Sequence, residues 1–237
     1  MQKVFSIATI PERVDNLKKV LDTVVNQSDY GFLILNNFKE IPSFLCDKTY
    51  SKVKIFKSQD IGGLGASGKF YPLTKLEEDV YYFSCDDDII YPSNYFDYMI
   101  KRAEELKCIV TQHGRRPIKS LMKNYLKDTT SLRTEFSKSR PQDTKVLFGG
   151  TGVMCFSTKV FNIKSMDCFP TPYPADFWVG LEAFKKKIKI VCIKSDQNLI
   201  PLIYSNTIWK KGIKKEVSGK DLEIRKIVKE NFKQFYI

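Results

Sequence analysis

The sequence predicts an α/β domain with a mostly parallel central sheet and a basic C-terminal helix. Three observations carry that prediction. Short apolar runs alternate along the chain with segments of helical periodicity, the pattern of repeated strand–helix–strand units. The 237 residues suffice for one domain of ordinary size. The balance of 43% hydrophobic, 13% aromatic and 28% charged residues can bury a core, which excludes collagen-like and disordered chains.

Val4 to Ile10 reads as a buried strand, and Arg13 to Val25 as a helix, with Val14, Leu17, Val20, Leu21 and Val24 at helical spacing. Phe32 to Leu35 and Val53 to Phe56 are the next strands. Asn36 and Asn37 end the first, and a glycine-rich loop with Gly62, Gly63, Gly65 and Gly68 follows the second. Val80 to Ser84 is a fourth strand, Ser93 to Leu106 a helix and Cys108 to Thr111 a fifth strand. Arg115 to Lys145 is polar, basic and weakly periodic, so a long surface loop or a mobile acceptor-side element is expected. Val146 to Phe156 resumes a strand pattern broken by Gly149, Gly150 and Gly152, Asp176 to Lys187 reads as a helix and Ile188 to Ile193 as a strand. Ser218 to Asp221 has capping-box form before a basic helix with Leu222, Ile224, Ile227, Val228 and Phe232. No repeat or linker divides the chain, so residues 1–237 are expected to form one domain. In such sheets ligands bind at the carboxyl ends of the strands.

The net charge of +12 favours an anionic partner: nucleic acid, a phosphorylated substrate or an acidic membrane. Most of the excess lies from Ala183 onward, with 14 basic residues against 5 acidic. The six cysteines show no CxxC pair and no metal-ligand spacing, which suits buried thiols in a reducing compartment. The first residues lack the apolar stretch and cleavage site of a signal peptide, and no run approaches the ~18 apolar residues of a membrane span. A cytoplasmic protein is expected, with peripheral membrane association through the basic C-terminal segment as an option.

Tyr81 to Pro92 contains the most informative pattern, an apolar strand running into Asp86-Asp87-Asp88. Three adjacent carboxylates at the end of a buried strand repel one another and call for a cation. A divalent metal with oxygen ligands fits that need and keeps positions open for diphosphate oxygens. A solvated acidic turn is the bland alternative.

The segment resembles the Asp-x-Asp motif of GT-A glycosyltransferases, family 2-like, with Asp86 and Asp88 as its outer positions. Ile7-Ala8-Thr9-Ile10-Pro11-Glu12-Arg13 resembles that family's first strand and base-cradling loop. Gly65-Ala66-Ser67-Gly68-Lys69-Phe70 is similar to the segment whose basic side chain reaches the donor. Gly149-Gly150-Thr151-Gly152 looks like its acceptor-side strand, and Ala175-Asp176-Phe177-Trp178 like the acidic turn opening its acceptor-side helix. The pieces occur in order over residues 3 to 193.

The resemblance implies a Rossmann-like, GT-A-like domain, with residues 1–106 binding a nucleotide-sugar and residues 107–237 an acceptor. It implies a metal-dependent hexosyltransferase-like enzyme, with a UDP-sugar as the expected donor and a glycan or lipid-linked hydroxyl as acceptor. Mn²⁺ or Mg²⁺ would sit on Asp86 and Asp88, Thr9, Pro11, Arg13, Asn36, Lys69, Asp86 and Asp87 would contact the donor, and Gly150 and Trp178 the acceptor. Asp176 would be the general base of an inverting reaction. Two departures stand out: Asn36-Asn37 occupies a position where many members carry Asp, and no histidine follows Asp176 as a late metal ligand.

Each residue also has a plainer reading. Arg13 and Lys69 could be surface cations, Trp178 core packing, Asp176 a helix cap, and His113, the single histidine, a structural residue. Gly63 to Lys69 matches a P-loop through its lysine, but Phe70 replaces the required Ser or Thr and Pro72 obstructs the receiving helix. Two alternatives stay open: a glycosyltransferase acting on modified DNA bases, and a noncatalytic basic domain binding nucleic acid or a membrane surface.

Overall fold

The computed structural model describes residues 1–117, 141–172, 174–194 and 199–202, together with the backbone of 129–132. Its strands are β1 (Gln2–Thr9), β2 (Tyr30–Leu35), β3 (Val53–Lys57), β4 (Val80–Cys85), β5 (Ile89–Ile90), β6 (Ile109–Thr111), β7 (Gly114–Pro117), β8 (Thr129–Leu132), β9 (Thr144–Val146), β10 (Phe148–Gly149), β11 (Val153–Ser157), β12 (Ile190–Cys192) and β13 (Ile200–Pro201). The α-helices are α1 (Val14–Val24), α2 (Tyr95–Leu106) and α3 (Ala175–Lys185).

Eight strands form the central sheet in the order β3-β2-β1-β4-β11-β6-β12-β9. Pairing is parallel from β3 through β4 and between β6 and β12, whereas β11 is antiparallel to β4 and β6, and β9 to β12. The expected mostly parallel sheet is therefore present, with two reversed strands that the period of the sequence does not reveal.

Both faces of the sheet are buried, which is why its strands read as continuous apolar runs. Phe5, Ile7, Leu33, Leu35, Phe83 and Cys85 face α1 and α2, while Val4, Phe32, Val80 and Tyr82 face α3 and the 3₁₀ segment Gly65–Lys75. Helix α1 contributes Leu17, Val20, Leu21 and Val24, its predicted stripe. Helix α2 stacks Phe96 on Phe83, ring centroids 3.7 Å apart, and ends at Lys107 in the left-handed conformation.

Two expectations change. Arg115–Lys145 is not one loop: β7 pairs with β10 and β8 in a small antiparallel sheet, and β9 forms the edge of the main sheet. The glycine-rich loop continues as the 3₁₀ segment, which accommodates Pro72 because it is not a continuous α-helix. The basic C-terminal helix lies outside the described residues.

Candidate functional site

Strand β4 carries Val80, Tyr82 and Phe83 through the core and ends at Cys85, so Asp86, Asp87 and Asp88 turn at the carboxyl edge of the sheet. Behind that turn, Ile89 and Tyr91 are 1% and 2% exposed and anchor it to the core. The Tyr91 hydroxyl accepts from the Asp86 N–H at 2.8 Å and donates to the Gly152 carbonyl at 2.5 Å. From the other side, the Leu202 N–H donates to the Asp88 carbonyl at 2.7 Å, next to the β5–β13 pairing.

The three carboxylates face different surroundings. Asp87 is turned inward, its side chain 4% exposed, and accepts from Arg13 Nη1 at 2.6 Å. The same nitrogen lies 3.2 Å from Asp88 Oδ2, and Lys69 Nζ lies 2.5 Å from Asp86 Oδ1. Asp86 and Asp88 stay open, with side chains 39% and 23% exposed. Asp86 Oδ2 and Asp88 Oδ1 take no hydrogen bond among the described residues.

Two cations thus face three carboxylates. Burial, followed by the charges of Asp86 and Asp87, pushes the Asp88 carboxyl up to about 7, with Arg13 and Lys69 pulling the other way. Burial also raises Asp87, against Arg13 and the Thr9 hydroxyl. For Lys69, burial works against the charged form, yet Asp86 and, behind it, Asp176 hold the ammonium above its ordinary value.

This donor set fits a Mg²⁺ or Mn²⁺ ion. Two open carboxylate oxygens and an excess of negative charge match a cation that takes one or two carboxylates and completes its shell with water and substrate phosphate. No three His, Cys, Asp or Glu side chains converge as a full protein cage among the described residues.

Asp176 lies in the first turn of α3, but its side chain does not cap the helix; the N-cap position is Pro174. Its Oδ1 instead accepts from both the Thr151 N–H at 2.9 Å and the Thr151 hydroxyl at 2.7 Å. The capping explanation for this aspartate is therefore set aside.

Several candidates sit deeper than expected. Arg13 and Lys69, read as phosphate contacts, are 7% and 3% exposed and engaged with the carboxylates. Asp87, read as a donor contact, is the buried partner of Arg13. Asn36 is 7% exposed, its amide donating to Thr9 O at 3.2 Å and Gly65 O at 3.4 Å, which ties β1 and β2 to the glycine segment. Thr9 is buried beside it, and Pro11 opens an exposed 3₁₀ turn that delivers Arg13.

The two acceptor candidates are both closely packed. Trp178 belongs to the core, edge-on to Phe177 at 4.9 Å, its Nε1–H donating to Thr171 Oγ1 at 3.1 Å; its ring offers no open platform. Gly150 is a close-approach position, where a Cβ would fall 2.9 Å from two atoms of His113. Tyr91, Thr151 and Gly152, which bond to the Asp86 turn or to Asp176, were not singled out individually from the sequence. The available signal was the unusual density of glycine beside Thr151: a Cβ at Gly152 would lie 1.9 Å from Asp86 Oδ2.

No protein-family model matches the chain, and no curated protein matches it by sequence. Among solved structures, a crystal structure of TarS from S. aureus, residues 1–349, is similar with a TM-score of 0.51 and 10% identity. The match covers 85% of this chain and 60% of that one, so the chain spans less than two thirds of TarS as solved. Among the described residues no helix is long and apolar enough to cross a membrane. A likeness at this identity is one of architecture, and it agrees with the large, mostly parallel sheet: the chain has an α/β, Rossmann-like fold of GT-A type.

Proposed function

We propose that this chain is a glycosyltransferase that moves a sugar from a nucleotide donor, with a UDP-sugar expected, to a hydroxyl of a glycan or lipid-linked acceptor. The observation that carries the reading is the open Asp86–Asp88 pair at the carboxyl end of β4, in an aspartate triplet that Arg13 and Lys69 leave one positive charge short of balance, in a fold similar to a GT-A-like glycosyltransferase. Asp86 and Asp88 would hold Mn²⁺ or Mg²⁺. When bound, the ion would neutralise charge developing on the leaving diphosphate.

The protein's own residues do the rest. Arg13 and Lys69 hold the carboxylates in place and keep the turn from opening by mutual repulsion. Asp176, with Oδ1 occupied by Thr151, has Oδ2 to take the acceptor proton. As the acceptor oxygen bonds the anomeric carbon, the bond to the diphosphate oxygen breaks and its electron pair leaves with UDP. Attack from the opposite face gives inversion.

One experiment tests both carboxylate assignments. Thermal stability should rise on adding UDP with Mn²⁺ more than with either alone, and Asp88→Ala should abolish that extra rise. Asp176→Asn keeps an oxygen for Thr151 and should retain the UDP–Mn²⁺ shift, while turnover falls by ~10²-fold or more. An unchanged shift in Asp88→Ala rejects the metal site. Wild-type turnover in Asp176→Asn, or a product of retained configuration, rejects the base.

A further inference from the structure

The donor-side and acceptor-side carboxylates are linked by two residues that the proposed chemistry does not itself use. Thr151 and Gly152 form a short strap between β10 and β11, and their polar groups are tied at both ends. Toward the acceptor side, the Thr151 N–H and hydroxyl both donate to Asp176 Oδ1. Toward the donor side, the Thr151 carbonyl accepts from the Ser84 hydroxyl at 2.5 Å, on the strand that leads into Asp86. The Gly152 carbonyl accepts from Tyr91, whose hydroxyl also receives the Asp86 N–H.

Thr151 is 4% exposed; the bonds of the strap to Ser84 and Tyr91 are buried and those to Asp176 part-buried, so they hold their geometry better than surface contacts. Both donors go to one oxygen of Asp176. That choice fixes the carboxylate plane and leaves Oδ2 as the proton-accepting atom. The absence of a side chain at Gly152 lets the strap close on Asp86, since a Cβ there would overlap Oδ2.

We infer that Thr151 is a positioning residue for sugar transfer: it orients Asp176 and, through the strap, fixes that base relative to the Asp86 turn. This inference rests on the glycosyl-transfer reading above. Thr151 touches neither donor nor acceptor in this account and acts only through Asp176.

The test uses the full chain, UDP with Mn²⁺ as the binding probe, and UDP release from a panel of UDP-hexoses as the turnover assay. Thr151→Val removes the hydroxyl donor and keeps the shape. Turnover should fall about tenfold or more while UDP affinity stays within about twofold of wild type. Thr151→Ser restores the donor and should recover turnover to within about threefold. Added to Asp176→Asn, Thr151→Val should cost nothing further, because a residue that acts through the base has nothing left to orient.

Should the valine variant fail to fold, Thr151→Ala removes the hydroxyl together with the γ-methyl group and carries the same expectations. Wild-type turnover in the valine or alanine variant overturns the inference. So does a parallel loss of stability, UDP affinity and turnover, or an additive loss in the double variant. A wild-type chain that binds UDP and turns over no sugar, or that does neither, removes the glycosyltransferase reading itself, and this inference with it.

Discussion

Two glycine-rich segments look nearly interchangeable in the sequence, Gly62-Gly63-Leu64-Gly65 and Gly149-Gly150-Thr151-Gly152, and they serve opposite physical purposes. Gly62 and Gly63 have φ of +90° and +68°, and a Cβ at either would meet nothing within 4 Å. They bend the chain in open space. Gly149, Gly150 and Gly152 have no left-handed φ, yet added Cβ atoms would fall 2.8 Å from Ile190 Cγ2, 2.9 Å from His113 Cβ and 1.9 Å from Asp86 Oδ2. They let surfaces meet. The first segment is shaped by local backbone conformation, and the second is fitted to its neighbours by contact.

Replacing Gly152 by alanine should give the largest effect. At that distance there is no room for a methyl group unless the Asp86 carboxylate moves, and a shift of about 1 Å in a catalytic group can cost ~10²-fold in rate. Turnover should fall by that order, and the extra thermal shift with UDP and Mn²⁺ should shrink. A Gly152→Ala variant with a wild-type shift and turnover would show that the close approach to Asp86 has no functional weight, and the contrast between the segments would fail at its most important point.

A contact glycine remote from the carboxylates sharpens the contrast at a smaller scale. Gly180 lies in α3, where a Cβ would meet the Leu147 carbonyl at 2.5 Å and Phe148 Cδ1 at 2.9 Å. The first obstacle is backbone and cannot swing aside. Overpacking of this kind costs about 1–3 kcal/mol, against ~1 kcal/mol gained by alanine over glycine in a helix. Gly180→Ala should therefore lose about 2 kcal/mol at the upper end of that range in urea unfolding, and a stabilised variant would mean that α3 stands off from β10.

The same contrast explains what the sequence made legible. Strands β1, β2 and β4 are buried on both faces and α1 has a single apolar stripe, so local patterns suffice to find them. The Asp triplet was visible because it follows such a strand. Strand β7, Gly-Arg-Arg-Pro, has no apolar run, and β9 is a three-residue edge strand, so both hide in a polar stretch. Strand direction is absent from a period-two pattern, which is why β11 gave no sign of being reversed. The sequence displayed Arg13 and Lys69 as cations but not their partners, which lie 74 and 17 residues away. Trp178 has core spacing and site spacing at once, and only packing separates them.

Gly62→Ala probes the other arm of the comparison and should have the smallest effect. Gly62 ends the 3₁₀ turn Ser58–Ile61, its N–H bonded to the Ser58 carbonyl, and the Gly63 N–H reaches the same oxygen at 2.8 Å. The turn needs the left-handed conformation but leaves the side-chain position empty, so alanine pays for backbone strain and for nothing else. That strain is worth roughly 1–2 kcal/mol, partly offset by the loss of glycine's freedom in the unfolded chain, which leaves about 1 kcal/mol in urea unfolding. The UDP–Mn²⁺ thermal shift should be unchanged, because no atom near the carboxylates has to move. Asparagine tolerates this region better than alanine, so Gly62→Asn should recover part of the loss. Equal losses for alanine and asparagine would place the cost in crowding rather than in φ, and the two glycine segments would then differ in degree and not in kind.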